Sequence, residues 1–143
     1  MKHTVAMELT SCLALVDRLH EQLQAVGTKM GWSAEQVFGL KLATSEAFSN
    51  VVRHGYHGEC DAPIEVVFEA QADGIEICIR DQGCPFCLQE QTVHLVDPWS
   101  VGGRGIFLIF SLMDGARSER IGDWNELRMW KKFNNTNKSS GCA

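Results

Sequence analysis

The chain has 143 residues, 45% of them hydrophobic, which suits one domain built around one substantial core. A formal net charge of −5 excludes the broad basic footprint that nucleic-acid backbones and anionic membranes select. No stretch approaches the roughly eighteen uninterrupted apolar residues of a membrane span, and Glu8 falls where a signal peptide needs its apolar core, so the chain reads as a cytoplasmic protein.

Thr4 to Leu9 alternates Val5, Met7 and Leu9 with polar or small neighbours, the period of a short half-buried strand. Ser11 then offers an N-cap to a helix in which Leu13, Val16, Leu19, Leu23 and Val26 recur at helical spacing, running to about Gly27 or Met30. Ser33-Ala-Glu-Gln36 is a capping box that starts a second helix, with Val37, Leu40, Ala43, Ala47 and Val51 as its buried stripe and Gly55, Gly58 and Pro63 bringing it to an end. Along it, Glu46, Asn50 and His54 recur every fourth residue. At about 100° per residue two such steps drift by only about 80°, so the three share one face. That face is either a solvated polar stripe or the wall of a site.

Ile64–Ala72 and Ile75–Arg80 both alternate with a period of two, and Asp73-Gly74 between them predicts an antiparallel hairpin closed by a type I′ turn. The second strand ends at Asp81-Gln-Gly83. Periodicity is lost from Cys84 to Val101, which predicts a long, mobile connection. Within it Cys84-Pro-Phe-Cys87 has C-x-x-C spacing, but no second ligand pair exists to complete a zinc set, and the following residues do not supply the strand-to-helix context of a redox pair. The six cysteines, scattered without the spacing of a disulfide scaffold, read mostly as free thiols.

Gly102-Gly-Arg-Gly105 opens the apolar run Ile106–Met113, and glycines at the start of a helix allow close backbone approach to an anion such as phosphate. Ala116–Ile121 and Trp124–Phe133 read as a final pair of strands joined through Gly122-Asp123. Asn134 to Ala143 is polar, without an apolar pattern, and reads as a frayed tail after one domain spanning residues 1–133.

Taken together, these segments resemble the anti-sigma-factor serine kinases of the SpoIIAB and RsbW type, within the ATP-binding superfamily that includes histidine kinases, gyrase and mismatch-repair ATPases. Ser45-Glu-Ala-Phe-Ser-Asn-Val-Val-Arg-His-Gly-Tyr56 is similar to that family's N box, Asp81-Gln-Gly83 to its first glycine box, and Gly102-Gly-Arg-Gly-Ile-Phe-Leu-Ile-Phe-Ser-Leu-Met-Asp114 to its second. Two features depart from the family pattern: Cys84-Pro-Phe-Cys87 follows the first glycine box, and Arg104 separates the glycines of the second.

The resemblance implies a two-layer α/β sandwich, with a mixed, mostly antiparallel sheet and helices on one face. ATP is expected between the central helix and the long connection, which serves as a lid. Asn50 is expected to offer an oxygen to Mg²⁺, Asp81 to accept from the adenine amino group, and Gly83 to let the base approach the backbone. Gly103 and Gly105 are expected to set amides against the phosphates, with Arg104 beside the transferred group. Glu46 is expected to be the general base acting on a serine hydroxyl of an antagonist protein. The resemblance gives His54 and Tyr56 only supporting roles. It also implies a sigma factor as a second partner, and a homodimer. A non-catalytic, ATP-gated module that sequesters a regulatory partner is the alternative reading.

Overall fold

A computed structural model of the chain describes residues 2–86 and 103–133. Five strands form one sheet: β1 (His3–Ser11), β2 (Cys60–Gln71), β3 (Gly74–Asp81), β4 (Gly115–Ile121) and β5 (Trp124–Lys132), in the spatial order β1-β2-β3-β5-β4. Every pairing among them is antiparallel. Helices α1 (Val16–Met30), α2 (Ala34–Asn50) and α3 (Gly103–Leu112) make the second layer, so the expected two-layer sandwich is what forms. Among the described residues no helix is long and apolar enough to cross a membrane.

The alternation in the strands decides which side chains enter the core. Ile64, Val66, Phe68 and Ala70 of β2 and Ile75, Ile77 and Ile79 of β3 are buried beneath the helices, against Leu19, Leu23 and Val26 of α1 and Leu40, Ala47 and Phe48 of α2. The same period carries Asp81, two residues beyond Ile79, onto the core side of the sheet at its end. On the opposite face, Glu65, Arg80, Glu126, Arg128 and Glu76 form a continuous chain of ion pairs, and Arg80 also lies 4.7 Å over the Trp124 ring. These residues are partly solvated, so each pair contributes at most about 1 kcal/mol, and their main effect is to keep a polar outer face.

The start of α2 is set locally. Gln36 N–H donates to Ser33 Oγ at 3.0 Å and Ser33 N–H donates to Gln36 Oε1 at 2.8 Å, so both halves of the capping box form. Replacing Ser33 with Ala is expected to lower stability by about 1 kcal/mol in urea unfolding, with an unchanged m-value; an unchanged midpoint would show that tertiary packing alone holds this helix start.

Two local expectations are corrected. Ser11 does not cap α1: it is buried at the end of β1, where its Oγ donates to the Gly58 carbonyl at 3.0 Å. A single 3-10 turn, Leu13–Leu15, precedes α1 instead, and the Leu13 N–H is satisfied by Glu59 Oε2 at 2.8 Å. The β2–β3 turn is centred on Ala72-Asp73, because Gln71 pairs with Gly74, and neither central residue has the positive φ of a type I′ turn. Long-range partners hold it: Trp32 Nε1 donates to the Ala72 carbonyl and Phe133 N–H to the Asp73 carbonyl. Gly74 is needed for packing, since a Cβ there would lie 2.5 Å from the Lys131 carbonyl oxygen.

The expected connection from Cys84 to Val101, with its lid role, lies outside the described residues beyond Phe86, as does the tail from residue 134.

Candidate nucleotide site

At the end of the sheet where β3 finishes and β5 begins, a cavity of about 380 Å³ opens between sheet and helices. Its walls are Ala47 and Asn50 with the segment after them, Ile106 and Ile109 of α3, Leu127 of β5, and Cys84, Pro85 and Phe86. The lining is largely apolar with a few convergent polar groups, the composition of small-molecule sites.

Asp81 and Asn125 are the two polar lining residues that are almost fully buried. Gly83 N–H donates to Asp81 Oδ1 at 2.8 Å and Asn125 Nδ2 donates to the same oxygen at 3.0 Å. Both bonds fall on Oδ1, so among the described residues Oδ2 is left to accept from a ligand. Burial pushes the Asp81 carboxyl above the ordinary aspartate range, opposed by the Asn125 and Gly83 hydrogen bonds and by the charge of Arg120.

Asn125 was not singled out in the sequence, yet it organises this corner. It is the register partner of Asp81, and besides that carboxylate its Nδ2 donates to the carbonyls of Gly83 at 3.3 Å and Cys84 at 2.8 Å. Its Oδ1 accepts from the Phe86 amide and from Arg120 Nη1, both at 3.1 Å. Arg120 Nη1 also donates to the Gly83 carbonyl at 3.0 Å. The available signal was an amide at the first inward position of a strand that continues inward with Leu127 and Met129. A polar group buried in that phase needs partners.

Gly83 is required by a backbone contact. A Cβ on it would lie 2.5 Å from the Gly55 carbonyl oxygen and 2.9 Å from the Gly55 Cα, so the missing side chain lets the strand end pack on the helix end. The Cys84 N–H seals that contact by donating to the Gly55 carbonyl at 2.9 Å. Tyr56 adds a second tie, donating through its hydroxyl to the Pro63 carbonyl at 2.7 Å and accepting from Gln82 N–H at 2.6 Å. Tyr56→Phe removes both bonds and nothing else. It is expected to lower stability by about 1–2 kcal/mol in urea unfolding; an unchanged stability would mean that water replaces the hydroxyl at no loss.

The row of Glu46, Asn50 and His54 is divided by the backbone. α2 is α-helical through Asn50, and Val51–Gly55 is π-helical, with the Tyr56 N–H donating to the Val51 carbonyl. Glu46 and Asn50 keep their four-residue spacing on the face toward α3, whereas His54 follows the wider turn and lines the cavity as an exposed residue. A Cβ on Gly105 would lie 2.9 Å from Glu46 Oε2 and 3.5 Å from both polar atoms of the Asn50 side chain, so the first turn of α3 sits directly on these two residues. Among the described residues neither side chain is engaged in a hydrogen bond. Glu46 stands beside the cavity rather than in its lining. Gly103 and Arg104 open α3, and the role expected of the Arg104 side chain lies outside the described residues.

An acceptor deep in an apolar cavity, with an amide and a carboxylate under a helix N-terminus at its edge, defines the class: a two-layer α+β domain with a site shaped for a small anionic ligand bearing a hydrogen-bond donor. The chain belongs to the histidine kinase-like ATPase domain family, whose model matches residues 9–131. Over 103 residues it is 35% identical to the serine-protein kinase RsbW of Bacillus licheniformis, an alignment covering 66% of this chain and 64% of that protein. It is 31% identical to RsbW of Bacillus subtilis strain 168 at the same coverage, and 32% identical to RsbW of Listeria innocua, with 66% of each chain covered. The chain thus spans just under two thirds of the length of these curated relatives. The crystal structure of the RsbU and RsbW domains of Rv1364c from Mycobacterium tuberculosis has the same fold, with a TM-score of 0.65 at 16% identity over 90% of this chain and 32% of that one.

Proposed function

We propose that this protein is an ATP- and Mg²⁺-dependent protein-serine kinase and anti-sigma factor of a partner switch, which phosphorylates a serine on an antagonist of itself. The observation that carries this reading is the placement of Glu46 and Asn50 side by side against Gly105, at the edge of a cavity lined by the buried carboxylate of Asp81. The family assignment and the serine-protein kinase relatives support it.

The residues present fit the two ligands. Asp81 has one carboxylate oxygen that is unengaged among the described residues, suited to an exocyclic amino donor such as that of adenine. Among the described residues the Asn50 amide is unengaged beside the first turn of α3, suited to a hard cation that takes few protein oxygens and completes its shell with phosphate and water. When bound, ATP supplies the phosphoryl group and Mg²⁺ offsets its charge. Everything else falls to the chain. Asp81, steadied by Asn125 and the Gly83 amide, fixes the base; the first turn of α3, from Gly103 through Gly105, offers amides to the phosphates; and Arg104 adds positive charge at that helix start. Glu46 takes the proton of the incoming serine hydroxyl at its own carboxylate. Phosphorylation of the antagonist releases it and frees the kinase to hold its sigma factor.

The test is incubation with Mg-ATP and candidate antagonist proteins that carry a serine acceptor, followed by phosphopeptide mapping. A single phosphoserine on the antagonist is expected. Tight ATP binding with no transfer to any candidate would replace the kinase by a nucleotide-gated binding module.

A further inference from the structure

The kinase reading makes no use of Cys84. Its thiol belongs to an exposed residue in the lining of the same cavity as Asp81, and its Sγ lies 3.1 Å from His57 Nε2. The backbone that carries the thiol is held in place: the Cys84 N–H donates to the Gly55 carbonyl, its carbonyl accepts from Asn125, and the Phe86 N–H two residues on donates to Asn125. His57 has φ +58, a conformation that only it adopts among the described non-glycine residues. A nucleophile in the wall of a cavity, with a base within hydrogen-bond distance of it, supplies the parts of a reactive cysteine.

The other described cysteines differ. Cys78 is buried under the ion-pair network of the outer sheet face, and burial pushes its thiol up to about 11. Cys60 is exposed, and Cys12 partly so, but among the described residues neither has an imidazole partner. Cys60 is therefore the internal control: an exposed thiol without a base.

We propose that Cys84 is a modification site for low-molecular-weight disulfides, and that the adduct closes the cavity to nucleotide. The second half rests on the nucleotide reading above. His57 Nε2 accepts the thiol proton, the Cys84 sulfur attacks one sulfur of the disulfide, a new S–S bond forms and the old one breaks. The leaving thiolate departs with the electron pair and takes a proton from water, so Cys84 is oxidised and the disulfide reduced. A tripeptide disulfide such as oxidised glutathione leaves a group on Cys84 large enough to occupy the space between Asp81 and α3.

The experiment treats the full chain with oxidised glutathione without nucleotide, in a Cys87→Ser background that prevents the mixed disulfide from being passed along the Cys84-x-x-Cys87 pair. Peptide mass spectrometry follows each cysteine, and ATP affinity is measured before and after. Glutathionylation at Cys84 is expected to run about tenfold or more faster than at Cys60. His57→Asn, which tolerates the left-handed backbone but offers no base, is expected to remove that advantage. ATP affinity is expected to fall at least about tenfold on modification, and the same treatment of a Cys84→Ser variant is expected to leave that variant's own affinity where it started. Equal rates at Cys84 and Cys60, or a rate indifferent to His57→Asn, would overturn the reactive site. Full modification at Cys84 with unaltered ATP affinity would overturn the closing of the cavity. Failure of the untreated protein to bind ATP would instead refute the nucleotide reading, and with it the closing of the cavity, while the rate comparison, made without nucleotide, still decides the reactive site.

Discussion

Replacing Glu46 with Gln is expected to slow serine phosphorylation by roughly 10²–10⁴-fold, the usual contribution of a positioned general base. The substitution keeps the size of the side chain that lies against Gly105, so the contact between α2 and α3 should survive it. Glu46 also stands outside the cavity lining, and ATP affinity is expected to change little. Single-turnover transfer to the antagonist and ATP titration, measured on the same preparation, separate the two effects. A variant that transfers phosphate at the parent rate would remove Glu46 from the chemistry and leave it as a neighbour of the helix start.

Asp81→Asn is expected to reduce ATP affinity by about 10- to 100-fold, the worth of a hydrogen bond to a charged acceptor. The amide oxygen can still accept from Asn125 and from the Gly83 N–H. Its nitrogen, however, occupies the position of Oδ2, which is unengaged among the described residues, and turns an acceptor into a donor, which repels an amino group. The fold responds in the other direction. Burial raises the Asp81 carboxyl above its ordinary value of 3.8, so the folded state disfavours the ionised form. Stability contributed by the protonated carboxyl is full below that value and is lost as pH rises through the raised one. Asn carries no such penalty. The variant is expected to melt at or above the parent temperature at neutral pH, with the difference shrinking as pH falls toward 3.8. A variant that melts well below the parent at neutral pH would show that the hydrogen bonds to the carboxylate outweigh its burial.

The response to Asp81→Asn follows from an arrangement that the sequence only half contains. Asp81 could be placed at the end of an alternating strand, and Glu46 with Asn50 one turn apart on a helix, because both statements concern residues a few positions apart. Asn125 could not be given its role, since its partners Asp81, Gly83 and Cys84 lie 41 to 44 positions away. Tyr56 reaches across 26 positions to Gln82, and Gly83 is a glycine because of a backbone contact with Gly55. The turn at Ala72-Asp73 misled for the same reason: Asp-Gly has a strong local preference, but Trp32 and Phe133 hold the two carbonyls and place the turn one residue earlier.

By itself, then, the amino-acid order determined what short-range physics controls: the strands by their two-residue period, α2 by the Ser33–Gln36 box, the start of α3 by its glycines, and the pairing of Glu46 with Asn50. Tertiary structure alone decided that α3 begins on top of that pair, that His54 leaves the row through a π-helical turn, and that Asn125 ties Asp81 to Gly83 and Cys84. Those outcomes depend on which distant backbone and side-chain groups must satisfy each other once both are buried, and that requirement arises only when the sheet and helices have packed.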